Sequence, residues 1–147
     1  MIEQLIRSLD DQRFIDTSSG WFDCGGGDFK SVHNYFRKLT PINDYRPYVL
    51  SEFGGYTYHT ENHCCTDKVY GYHSYASLNE FNAAVEELFT NKIKTLIPEG
   101  LCGTVYTQVS DIEEEINGLM TYDRKVCKLS DSTIKHIREV LDHETQL

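Results

Sequence analysis

Apolar positions along the chain follow two rhythms. Ile2, Leu5, Ile6 and Leu9 recur at i, i+3, i+4 and i+7, the spacing that lines one side of a helix, so residues 2–9 (IEQLIRSL) are expected to be helical. Residues 13–16 (RFID) are a short strand candidate. The stretch TSSGWFDCGGGDF that follows is rich in turn formers and reads as an irregular rim loop, flexible through its glycines. Residues 31–36 (SVHNYF) are a second strand candidate. After a connector holding Pro41 and Pro47 comes YVLSEF, residues 48–53, the clearest buried strand. Its apolar run is short, rich in strand-forming types, and bounded by Pro47 and Gly54-Gly55.

A long loop full of His, Tyr and polar residues then leads to Ser77 and Glu80, which spell the S-x-x-E capping box. Phe81, Ala84, Val85 and Leu88 give the helix behind it an apolar face, and Pro98-Glu99-Gly100 ends it after a last turn with Lys92 and Lys94. Residues 101–108 (LCGTVYTQ) are a fourth strand candidate. Beyond a mixed segment, Ser130 or Asp131 caps a final helix with Ile134, Ile137, Val140 and Leu141 on one side. Strands interleaved with helices argue for an α/β fold with a parallel sheet, in one domain spanning residues 1–147. Four parallel strands closed by so few helices leave a face or an edge uncovered, and the chain opens on a helix with no strand before it. Half a barrel has that form.

Charge narrows the partners. A formal charge of −9, with 14 basic residues that do not cluster, disfavours nucleic acid and anionic membranes. No apolar stretch approaches the roughly 20 residues of a membrane span, and no basic segment followed by an apolar run marks the N-terminus; the chain is expected to be soluble and cytoplasmic. The five cysteines are odd in number and irregularly spaced, so reduced thiols are expected. His59, His63, Cys64, Cys65 and His73 crowd one loop, but adjacent cysteines rarely share a metal and no second C-x2-C pair exists, so no metal is expected. Gly25 to Gly27 lack the G-x4-GK[ST] spacing of a phosphate cradle, and no cofactor is implied. The acidic run from Asp111 to Glu115 reads as a solvated face on a helical turn.

Glu52 is the residue with chemical promise. A carboxylate at the end of a buried strand is either paired, for instance with an arginine, placed just past the strand end, or functional, because burying an unpaired charge costs several kcal/mol, on the order of magnitude. Four ordered blocks sharpen the choice: R-x-I-D-x-x-SGW from Arg13, GD-x-x-S-x-HNY from Gly27, RP-x-x-LSEFGGY from Arg46, and TVYTQVSDIEEEINGLMTYDR from Thr104. Together they resemble glycoside hydrolase family 2, which includes β-galactosidases and β-glucuronidases. The resemblance implies a partial (β/α)8 barrel in which RFID, SVHNY, YVLSEF and LCGTVYTQ are strands five to eight. It also implies a retaining mechanism on a carbohydrate substrate, with Glu52 as nucleophile and Tyr35 as the donor that orients it. His33 and Asn34 would share the rim, Trp21 would neighbour a sugar face, and Tyr106 would stand where relatives carry a stacking tryptophan. The family's acid/base glutamate ends strand four, and nothing in these 147 residues matches its motif. The chain alone is therefore expected not to hydrolyse ordinary β-glycosides, and an uncovered sheet edge is expected to favour self-association or pairing with the other barrel half.

Overall fold

The computed structural model describes residues 2–18 and 20–144. In chain order come α1 (Ile2–Leu9), β1 (Lys30–Asn34), β2 (Tyr48–Gly54) and the two-residue strands β3 (Tyr56–Thr57) and β4 (His73–Ser74). Then follow α2 (Leu78–Glu87), a π-helical stretch (Leu88–Ile93), α3 (Lys94–Leu96), β5 (Leu101–Thr107) and α4 (Asp131–Glu144). β1, β2 and β5 lie side by side as a parallel sheet in that order, while β3 and β4 pair in parallel outside it.

Residues 13–16 are not a strand. Asp28 occupies the backbone groups a ladder would need: its carboxylate accepts the Ile15 N–H at 2.7 Å, and its own N–H donates to the Ile15 carbonyl at 2.8 Å. The long loop after Glu52 is also more ordered than its composition suggests, since it contributes both β3 and β4. The triglycine is pinned: Gly27 N–H donates to Glu3 and the Gly26 carbonyl accepts from Arg46 at 2.7 Å.

The helical layer covers one side of the sheet. Ser77 and Glu80 form the capping box, each side chain taking the other's backbone N–H at 3.2 Å. Behind it, Phe81, Val85 and Leu88, with Ile93 and Leu96 beyond, pack on Tyr48, Leu50 and Phe53 of β2. Phe53 and Phe81 are almost fully buried, which is worth about 1.5–3 kcal/mol each. The last helix is capped by Ser130, whose hydroxyl accepts the Thr133 N–H at 3.1 Å; Ile137 and Leu141 reach the core, whereas Ile134 stays exposed.

The acidic run is a solvated face only in part: Glu113 and Glu114 are exposed, but its first residue is not. Asp111 lies inside, its carboxylate 2.7 Å from Lys128 Nζ and accepting the Gly118 N–H at 2.8 Å. Burial pushes the Asp111 carboxyl up and the Lys128 ammonium down from their ordinary values, and their contact opposes both shifts.

α1 is inverted. Its charged residues face the protein, with Arg7 paired to Glu3 and Asp28 at 2.8 and 2.9 Å, while Ile2, Leu5, Ile6 and Leu9 point to solvent. No described helix is long and apolar enough to cross a membrane.

Arg46, buried at the N-terminal end of β2, gathers Asp44 at 3.0 Å and Asp23 at 2.7 Å, and Lys30 adds a further contact to Asp23. The guanidinium holds Asp44 down to about 2 from its ordinary 3.8, and holds Asp23 lower still. A carboxylate depressed by folding lends its stability above the unfolded value and loses it as pH falls through the folded one. Thermal denaturation should therefore show stability falling between about pH 4 and pH 2, with a shallower fall in Asp44→Asn; identical slopes would remove Asp44 from the network's pH response.

Candidate active site

A strict two-residue alternation would place Tyr48, Leu50 and Glu52 on one face and drive the carboxylate into the core. β2 avoids this by carrying one extra residue. Opposite β1, Val32 pairs with Leu50 but His33 pairs with Glu52; opposite β5, Leu50 pairs with Thr104 and Phe53 with Tyr106. The bulge at Ser51 resets the phase, so Leu50 and Phe53 both face the helices while Ser51 and Glu52 both face the other way. Ser51 also settles the distorted ladder: its hydroxyl lies 2.6 Å from that of Ser31 and reaches the Val32 carbonyl at 3.4 Å.

On that face Glu52 meets the end of β1. Tyr35 donates its phenol proton to Glu52 Oε2 at 2.8 Å, and its oxygen lies 2.9 Å from Thr107 Oγ1 at the end of β5. One phenol has one proton, so the threonine hydroxyl donates the second bond. Burial, with the Glu52 charge beside it, pushes the Tyr35 phenol well above its ordinary value and keeps it a donor across the physiological range. His33 Nδ1 stands 3.2 Å from the same Glu52 oxygen. No hydrogen bond joins them, which leaves a buried imidazole nitrogen without a hydrogen-bond partner beside the carboxylate. The Glu52 side chain is 43% exposed, so a ligand can reach it.

Aromatic rings frame the carboxylate. Trp21, half exposed, sits edge-on to His33 at 5.5 Å and 6.3 Å from Tyr35. Tyr72 stacks on Tyr35 with centroids 4.0 Å apart and rings within 16° of parallel. Gly54 and Gly55, with φ of +89° and +65°, turn the chain away just beyond Glu52; a Cβ on Gly55 would lie 2.3 Å from the Tyr72 ring.

Four of the six residues singled out in the sequence are thus brought together: Glu52, Tyr35, His33 and Trp21. Asn34 spends its side chain on the turn after β1, accepting the Arg37 N–H at 2.9 Å. Tyr106 lies on the opposite face of the sheet, packed against Phe53 and Phe89 at 5.6 and 6.0 Å, and so does not join the rim around Glu52. The alternation explains this: Tyr106 pairs with Phe53, which the bulge turned toward the helices. Two residues escaped sequence reasoning. Thr107 could have been found, since alternation from a core-facing Tyr106 sends it to the Glu52 face. Tyr72 had no such signal, because it lies far along an aperiodic loop.

In the histidine-rich loop two polar groups are engaged. His63 Nδ1 contacts Asp123 at 2.9 Å and Cys64 Sγ donates to the Thr60 carbonyl at 3.4 Å. Among the described residues no group of three or more His, Cys, Asp or Glu is placed to hold a metal ion.

Comparison of the sequence with protein-family models and with curated proteins returns no match.

Proposed function

We propose that this chain carries the nucleophile of a retaining β-glycosidase, as the C-terminal half of a (β/α)8 barrel resembling glycoside hydrolase family 2. The observation that supports this best is the bulged β2, which takes Glu52 out of the core phase and sets it against the Tyr35 hydroxyl at the C-terminal end of a parallel strand. In parallel α/β architectures that end is where catalytic groups gather. A nucleophilic carboxylate attacks through one oxygen, and the Tyr35 hydroxyl holds the other in place while leaving the first free. In the reaction, a Glu52 oxygen bonds to the anomeric carbon as the glycosidic C–O bond breaks, and the departing oxygen needs a proton from a second carboxyl about 5–5.5 Å away. The described partners of Glu52 are Tyr35 and His33, neither a carboxylate. Trp21 and Tyr72 offer ring faces and edges suited to the C–H surface of a sugar.

The test supplies a leaving group that needs no proton. Incubation with 2,4-dinitrophenyl 2-deoxy-2-fluoro-β-galactoside, or the glucuronide analogue, followed by peptide mass spectrometry should place the adduct on Glu52. No adduct, from the chain alone or supplemented with the first four strands of a family-2 barrel, sinks the proposal. Tyr35→Phe keeps the ring stacking and removes only the donor; labelling should slow by about 10²-fold, the scale of one lost preorganised donor. An unchanged rate would make the tyrosine purely structural.

A second reading, an assembly piece without catalysis, draws on α1. Four apolar side chains held outward by a salt-bridged inner face, and a three-stranded parallel sheet that among the described residues has no strand paired on its outer edges, favour a partner that covers them. Sedimentation at rising concentration should then show a self-associating species that Leu5→Glu with Leu9→Glu reduces to monomer. A monomer throughout counts against that reading.

A further inference from the structure

A cavity of about 570 Å³ opens behind Glu52, on the helix-bearing side of the sheet. A parallel strand pair is usually joined by a crossover of a dozen or more residues built around a helix. Here residues 35–47, between β1 and β2, hold no helix, and the cavity is the space left between that connector and the π-helical stretch. Leu39, Phe53, Tyr56 and Leu88 supply apolar wall, and Asn91 and Thr95 supply polar groups. The π-helical geometry of Leu88–Ile93 widens that turn and puts Asn91 and Lys92 at the cavity.

Its charge runs against the rest of the molecule. The chain has 23 acidic and 14 basic residues, yet among the described residues no Asp or Glu lines the cavity, and Arg37, Lys38 and Lys92 do. Among the described residues Arg37 and Lys38 have no ion-pair partner, and Lys92 reaches Glu87 only at 3.9 Å. We infer that this cavity binds a small organic anion whose aromatic or short aliphatic body lies on the apolar wall and whose carboxylate or sulfonate meets Arg37, Lys38 and Lys92. The volume suits one such molecule, and a partly apolar pocket with a few convergent polar groups is the general form of a small-ligand site. The cavity also shares Tyr35 with the Glu52 site, and His73, on its wall, contacts the Tyr35 carbonyl at 3.2 Å. The binding claim stands whether or not Glu52 is a nucleophile.

The experiment titrates the ¹⁵N-labelled full chain with 8-anilinonaphthalene-1-sulfonate and, in parallel, with neutral N-phenyl-1-naphthylamine. Amide shifts from the sulfonate should cluster at residues 37–39 and 91–95. Arg37→Glu with Lys38→Glu, at exposed positions whose change leaves the spectrum otherwise intact, should weaken the sulfonate about tenfold or more and the neutral dye less than about twofold. Shifts centred on residues 2–9, an equal loss for both dyes, an unaffected sulfonate, or no saturable binding each overturn the inference.

Discussion

Glu52→Gln is expected to abolish the fluoroglycoside adduct proposed above while leaving the fold untouched. The glutamine amide oxygen can still accept the Tyr35 hydroxyl, and the side chain is exposed enough that its amide nitrogen meets water, so no buried group is stranded. What disappears is the negative oxygen that the proposed mechanism needs to attack carbon. Labelling should fall on the order of 10⁴-fold or more, the scale seen when an enzyme loses its covalent nucleophile. Denaturation midpoint and near-ultraviolet circular dichroism serve as the control for folding. An adduct that persists in Glu52→Gln, on another carboxylate, would show that Glu52 only lines the site.

This outcome depends on a detail that the hydrophobic pattern half revealed. YVLSEF announced a buried strand and put Glu52 at its end, because apolar type and flanking Pro47 and Gly54 are local signals. The direction of Glu52 was not legible, since a two-residue period gives the wrong face; the face depends on where an extra residue is absorbed, and that is decided by pairing with two other strands at once. The same holds for what went wrong elsewhere. Residues 13–16 had strand-like composition, but Asp28, thirteen residues from Ile15 in the chain, took the N–H and carbonyl of Ile15. The acidic run looked solvated because Lys128, which pairs with Asp111 inside the protein, lies 17 positions away. Helices were read more fully, since the capping box of Ser77 and Glu80 and the stripe from Phe81 to Leu88 are contained within one or two turns. The inversion of α1 was missed because periodicity locates an apolar stripe without saying which side is covered.

Lys128→Met should be among the most destabilising substitutions in the chain, by about 3–5 kcal/mol. The lysine side chain and its partner Asp111 are both fully buried; Nζ donates to Asp111 at 2.7 Å and to the Ile116 carbonyl at 3.0 Å. Methionine fills similar space but leaves a carboxylate in the interior with the Gly118 N–H and without its ammonium partner, and one Asp111 oxygen already lacks a hydrogen-bond partner. Against a total stability of about 5–15 kcal/mol for a domain of this size, that loss is a large share. Urea denaturation should show a lower midpoint at unchanged slope, and Asp111→Leu with Lys128→Met should recover part of the loss by removing the stranded charge. A shift below about 1 kcal/mol in Lys128→Met would mean that the pair is hydrated and weak. The consequence reaches the candidate site through contacts already in place. The Asp111–Lys128 pair ties together the segment after β5, that segment accepts the Tyr70 N–H on the Glu114 carbonyl at 2.9 Å, and two residues on Tyr72 stacks on the ring that donates to Glu52. Loosening the ion pair should therefore slow labelling of Glu52 even under conditions where Lys128→Met remains folded, because the support of the Tyr35 ring is lost before the sheet that carries it.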